Sequence, residues 1–379
     1  MYFSKIRLIN YRNFLDLNIT FDRNINIFIG DNAQGKTNIL EALSLITKGN
    51  SYRTNKEKQL INWDNQSTYL HTEINKKEEI YLIDLSLEKK IEELNKDKLV
   101  KTIKINNNFK KKGQLIKEFK GVVFSPEHLQ IIKGSPSLRR KFLDEQISQI
   151  YPLYNRYLLQ YYRILNQRNN ILKSNINRRE KKKNLILWNP KLIEYGAFLI
   201  LTRIRFLKKI SHMADKFHQE ITKENNELNL IYHTNVFIKC EEKATDIKEK
   251  FKIKISECID KEINYKSTLI GPHRDDFLIY INKTNITFYG SQGQQRTAIL
   301  TLKLAEVDLI KEKEGVYPIL FLDDVMSELD DRRRSFLLEL IINKKVQTFI
   351  TSINLNYFNK DIIKKGKIFK IKKGKASVL

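Results

Sequence analysis

The chain has 379 residues and a mass of 45.0 kDa, room for one large domain or two intimate ones. Lys+Arg 69 against Asp+Glu 44 leaves a net charge of +25, and 41% hydrophobic residues exclude wholesale disorder. No apolar run approaches the ~18 residues of a membrane helix, and the first residues alternate polar and apolar, unlike a secretory signal. The two cysteines, Cys240 and Cys258, form no CxxC pair, so neither a zinc site nor a disulfide framework is expected. The chain reads as soluble, cytoplasmic and basic, with no membrane partner. The charge favours an anionic partner such as nucleic acid, although runs such as Arg178 to Lys183 and Lys110 to Lys112 also read as solvated faces.

In chain order, strands are expected over 2–9, 15–21, 25–29, 69–74, 80–87, 100–105 and 121–124. From Pro136 the period changes. Leu143, Ile147, Ile150, Tyr154, Leu158, Tyr161 and Leu165 recur every three or four residues, with a boundary at Tyr151 set by Pro152. A polar, basic gap over 166–184 follows, read as a connection or tip. A second helical stripe runs through Leu192, Tyr195, Leu199, Phe206, Ile210, Met213 and Phe217. Strand character returns over 267–281 and 285–289, a helix spans 294–310, and strands follow over 319–322 and 346–350. The expected architecture is α/β. Residues 1–124 and 265–379 form one lobe, and a mainly helical second lobe, 125–264, is inserted in it.

Gly30-Asp31-Asn32-Ala33-Gln34-Gly35-Lys36-Thr37 fits GxxxxGK[ST], with an apolar strand before it and a helix after it. The glycines let successive N–H groups face phosphate oxygens, Lys36 reaches the β and γ phosphates, and Thr37 can ligate Mg²⁺. A nucleoside triphosphate is the expected ligand. The apolar strand Ile319-Leu320-Phe321-Leu322 ends in Asp323, placed to hold Mg²⁺, and Asp324, placed as general base. Ser291-Gln292-Gly293-Gln294 opens the next long helix and is read both as a capping box and as an anion site. Ser327-Glu328-Leu329-Asp330 then stands where a D-loop would. Thr351 ends the following strand, where many such ATPases carry a phosphate-sensing histidine. That order of elements is the one used by ABC-type P-loop ATPases, in which the signature loop of one subunit caps the nucleotide of the other.

Beyond those motifs, the sequence resembles the RecF family over essentially its full length. The stretches that carry the resemblance are Leu8-Ile9-Asn10-Tyr11-Arg12-Asn13-Phe14, the phosphate loop continued through Asn38 to Ala42, and Val123-Phe124-Ser125-Pro126-Glu127-His128-Leu129. Lys133 to Pro136, Arg139 to Asp144, Gly271-Pro272-His273-Arg274-Asp275-Asp276, Ser291 to Arg296 and 322–330 continue it. The resemblance implies a homodimer that sandwiches two ATP molecules with Mg²⁺, and binds DNA at gaps or single-strand/duplex junctions. It also implies help in loading RecA with RecO and RecR. By the same comparison Arg12 and Asn13 are expected to contact nucleotide. Asp324 replaces the usual glutamate and Ser125 the usual glutamine, so slow turnover acting as a switch is expected. His273 and Arg274 beside two aspartates read as an ion-pair turn rather than a metal site. A transporter ATPase subunit, a P-loop small-molecule kinase and a DNA-binding protein with a vestigial nucleotide site are the competing readings.

Overall fold

A computed structural model of the chain describes residues 1–91, 97–223, 226–236 and 243–379. Cys240 lies outside the described residues, and Cys258 is a free thiol. The chain divides into two compact units, Met1–His128 with Glu306–Leu379, and Leu129–Ala305. Among the described residues no helix is long and apolar enough to cross a membrane.

The first unit holds two six-stranded sheets. One is antiparallel, in the spatial order Phe14–Thr20, Tyr2–Tyr11, Ser67–Lys76, Glu79–Ile91, Asp97–Ile105, Asn108–Phe109. Its strands alternate, as one-sided sheets do: Thr68, Leu70, Thr72 and Ile74 are buried, while the residues between them face outward. The other runs Lys375–Val378, Gly366–Lys372, Ile25–Ile29, Thr348–Ser352, Ile319–Leu322, Gly121–Phe124. All its pairings are parallel except the one made by its first strand. Continuous apolar runs suit such doubly covered strands, and Ile319–Leu322 and Gly121–Phe124 are buried throughout. Phe321, Phe349 and Phe28, each on a neighbouring strand, stack with interplanar angles of 14° and 7°. They join the core that the antiparallel sheet covers.

The order of the parallel sheet positions the site. Thr348–Ser352 lies between the strand before the phosphate loop and the strand before Asp323. The carboxyl ends of parallel strands are where α/β sheets gather ligand-binding loops. Here they bring Gly30, Thr351 and Asp323 to one edge.

The second unit contains the helices Pro136–Ile150, Pro152–Lys173, Arg178–Thr222 and Ala244–Tyr265. A three-stranded antiparallel sheet accompanies them, ordered Thr284–Asn285, Asp276–Ile281, Leu228–His233. Pro152 starts a helix at N1, so Tyr151 is the boundary. The helix Gln292–Glu314 begins in this unit, and from Glu306 its residues belong to the first.

Several expectations change. The basic gap over 166–184 is mostly helix, with a break only at 174–177. Two of its three buried positions, Arg168 and Lys181, are charged, and only Leu172 is apolar, which hides the apolar period. Arg168 is fully buried against Glu262 at 2.6 Å, and Lys181, read as solvated, is buried with Nζ donating to Leu172 O. The segment 285–289 is not a strand: Asn285 accepts from the Thr287 amide and caps a short helix, Ile286–Tyr289. Of 267–281 only Asp276–Ile281 is strand. That strand pairs with Leu228–His233, so 265–305 lie in the helical unit, whereas the sequence division places the return at 265.

Candidate nucleotide-binding site

The phosphate loop leaves the buried strand Ile25–Ile29 and enters the helix Lys36–Lys48. Gly35 is the N-cap residue at φ 110°, and no side chain caps the helix. A Cβ at Gly35 would stand 2.6 Å from Asn13 Nδ2 and 2.8 Å from the Phe14 ring, so a side chain is excluded by space as well as by φ. Ala33 also has positive φ, 63°. Lys36 Nζ donates to the carbonyls of Gly30 at 2.6 Å and Asp31 at 2.8 Å, which holds the ammonium over the loop. Burial lowers the Lys36 pKa, opposed by the charges of Asp324, Asp31 and Asp323. An uncapped helix start, a curled loop and a buried lysine fit a polyphosphate.

Asp323 is the hub of the other half. It is buried, and its Oδ1 accepts from Thr37 Oγ1 at 2.8 Å and from Thr351 Oγ1 at 2.9 Å. Its Oδ2 accepts from the Tyr52 hydroxyl at 2.8 Å. Thr37 and Asp323, 286 positions apart, thus form one hard-oxygen pair of the kind that suits Mg²⁺. Asp324 follows at φ 54°, partly exposed, with its amide donating to Thr351 Oγ1 at 2.8 Å. Burial raises the Asp324 pKa, the Asp323 charge adds to this, and Lys36 opposes it.

The Arg12 guanidinium turns inward to make a two-point ion pair with the fully buried Glu41, at 2.9 and 2.8 Å. Asn13 stays at the loop: its Nδ2 donates to Gln34 O at 3.0 Å and its Oδ1 accepts from Asn38 Nδ2 at 2.8 Å. Gln34 Oε1 accepts from the Lys373 amide, and Asp31 and Asn32 lie exposed on the loop. The Thr351 hydroxyl is committed on both sides, to Asp323 and to the Asp324 amide. It therefore braces the carboxylate pair. Asp330 caps the helix Asp331–Lys344 by accepting from the Arg333 amide.

Ser291, Gly293 and Gln294 lie in the second unit. Gln294 N donates to Ser291 Oγ at 3.2 Å and Ser291 N to Gln294 Oε1 at 2.9 Å, a complete capping box. The turn through Asp276 holds an ion pair: Arg139 grips Asp276 at 2.8 and 2.6 Å. His273 contacts Tyr161 OH and Thr268 O, and among the described residues no cluster of His, Cys, Asp and Glu is arranged to hold a metal.

Sequence reasoning missed Tyr52 and Glu41. Glu41 was open to detection as the single carboxylate inside an apolar helix. Tyr52 gives no local signal, because only the fold brings it to Asp323.

The loop, the paired carboxylates and the parallel sheet that joins them define a P-loop ATPase head. The RecF/RecN/SMC N terminal domain model matches residues 2–377. A DNA replication and repair protein RecF from Clostridium tetani is 41% identical over 378 residues, covering 99% of both chains. The RecF of Clostridium kluyveri is 43% identical over 379 residues, covering 100% of both. A solved RecF–ATP structure from the RecFOR pathway superposes with a TM-score of 0.89 at 36% identity, covering 100% of this chain and 97% of the other. An Smc head bound to ScpA, 15% identical with a TM-score of 0.55, shares the fold. The chain belongs to the RecF family of DNA replication and repair proteins.

Proposed function

We propose that the chain binds ATP with Mg²⁺ at Gly30–Thr37, dimerises on ATP and clamps DNA at gaps or single-strand/duplex junctions, acting with RecO and RecR to load RecA. The observation that carries the nucleotide site is the hydrogen bond between Thr37 and Asp323, which joins two motifs 286 positions apart. The relatives with ATP and the RecFOR pathway in their descriptions support the wider role. The loop amides and Lys36 receive the phosphates, and Thr37 and Asp323 would hold Mg²⁺, whose charge offsets that of the β and γ oxygens. Asp324 takes a proton from the attacking water, and its raised pKa brings it nearer to the working range of a general base. A shorter carboxylate than glutamate reaches less far, so turnover is slow and hydrolysis times DNA release. The Ser291 to Gln294 helix start of one copy caps the phosphate held by the other.

DNA binding is backbone-driven, as a net charge of +25 without a base-reading motif implies. It falls by orders of magnitude between roughly 50 and 200 mM salt. The decisive experiment is sedimentation with gapped duplex DNA under no nucleotide, ATP and ADP, for wild type, Lys36→Ala and Ser291→Arg. A dimer that holds DNA with ATP alone, and is lost in both variants, is expected. A monomer in ATP, or equal DNA binding in every state, would overturn the clamp.

A further inference from the structure

Trp63 is 92% exposed, an unfavourable position for so large an apolar ring unless something covers it. The neighbours that follow and precede it directly, Asn62, Asp64, Asn65 and Gln66, are polar.

The turn that carries it is firmly held. Tyr11 and Ile61 form a β-bridge; Arg12 N donates to Leu60 O at 2.9 Å and Asn62 N to Asn10 O at 2.8 Å. Asn62 Nδ2 donates to Arg12 O at 2.8 Å. On the far side Asn65 Nδ2 donates to Asn62 Oδ1 at 3.0 Å, and Lys89 Nζ to Asn65 O at 3.0 Å. The hairpin tip that anchors this turn is itself tied to the phosphate loop through Asn13, which donates to Gln34 O. Trp63 is thus an exposed ring on a turn whose backbone is held, and a short chain of hydrogen bonds joins that turn to the nucleotide loop. Such rings recognise flat π-systems, and bases stack on them without regard to sequence.

We infer that Trp63 is a stacking platform for a nucleobase presented beside the phosphate loop. The inference rests on the nucleotide-binding reading above. The base comes either from the adenine of the nucleotide held by the loop or from an unpaired base of bound DNA, and the tether through Asn13 favours adenine.

The chain has two tryptophans, and Trp188 is half-buried in the helix Arg178–Thr222, so Trp188→Phe leaves Trp63 as the sole indole emitter. That protein is titrated with ATP, with tripolyphosphate, and with an oligothymidylate in the absence of nucleotide, while calorimetry follows binding. Expected are quenching by ATP and none by tripolyphosphate. Trp63→Ala should weaken ATP binding roughly tenfold while leaving tripolyphosphate affinity unchanged. Quenching by the oligonucleotide alone assigns the platform to an unpaired DNA base. If calorimetry registers ATP and DNA binding but neither alters the emission of Trp63, the inference is overturned and the nucleotide reading stands. If wild type gives no ATP binding, that reading fails instead, and the oligonucleotide titration still decides on Trp63.

Discussion

Tyr52 and Asp323, 271 positions apart, meet in a 2.8 Å hydrogen bond that occupies the Asp323 oxygen not used by Thr37 and Thr351. The carboxylate is therefore gripped at both oxygens and held in one rotamer before any ligand arrives. The Tyr52 hydroxyl is kept protonated: burial raises its pKa well above the ordinary value, and the Asp323 charge adds to that.

Tyr52→Phe removes this grip while keeping the ring. The freed Asp323 oxygen is left buried without its donor, which costs about 1–3 kcal/mol. The expected result is a weaker Mg²⁺ dependence of ATP binding and a lower urea midpoint. Unchanged Mg²⁺ titrations of nucleotide affinity would show that Tyr52 does not position the carboxylate.

Gly35→Ala should lose nucleotide binding by steric means. The new Cβ collides with Asn13 and Phe14 and forces an L-residue to φ 110°, a strain of about 1–3 kcal/mol. Calorimetry with ATP should show the loss, together with a modest fall in stability. Full ATP affinity in this variant would mean that the loop relaxes without cost.

Arg203 is fully buried and contacts Asp144, Tyr154, Tyr232 and Pro272 O. Arg203→Met strands the Asp144 charge and should cost about 3–5 kcal/mol. Adding Asp144→Leu should recover part of that loss, because two apolar groups replace the pair. Urea denaturation of the two single variants and the double variant measures the coupling, and additive losses would refute it.

The turn at Gly271 to Asp276 carries two opposed proton sites. Burial brings His273 down to about 4 from 6.5. Its neutral ring is satisfied, with Nε2 donating to Thr268 O and Nδ1 accepting from Tyr161 OH. Burial also pushes Asp275 up to about 6 from 3.8, against the Tyr232 hydrogen bond and the Arg203 charge. As pH falls from 6.5 towards 4, the unfolded state gains a proton at His273 that the fold refuses, so His273 lowers stability. As pH falls from 6 towards 3.8, the fold gains a proton at Asp275 first, so Asp275 raises stability. Each effect is about 3 kcal/mol at most, from the shifts cited. Relative to wild type, His273→Gln should therefore gain stability on acidification from pH 6.5 to 4, and Asp275→Asn should lose it. Urea midpoints at pH 7, 5.5 and 4.5 check both signs, and parallel pH profiles for all three proteins would refute the scheme.

The elements of the proposed nucleotide site were legible because each is local. An apolar strand, a glycine-framed loop and a helix make the proposed phosphate loop from consecutive residues, and Ile319–Leu322 followed by two aspartates supplies its proposed other half. The capping box at Ser291 is likewise a four-residue device. The strands over 25–29, 121–124 and 319–322 were readable to the residue, since short, mostly apolar runs mark strands covered on both faces.

Tertiary structure decided the rest, wherever a polar group takes a distant partner. Arg12 pairs with Glu41, because a fully buried carboxylate needs a cation. The helices through 166–184 are hidden in the sequence because two of their three inward residues are Arg168 and Lys181, whose burial depends on Glu262 and Leu172 O. Thr351 and Tyr52 meet Asp323 only because the sheet order places their segments beside it. Periodicity and motif spacing record what a segment needs from its own neighbours, whereas the pairing of buried polar groups depends on which segments the fold brings together.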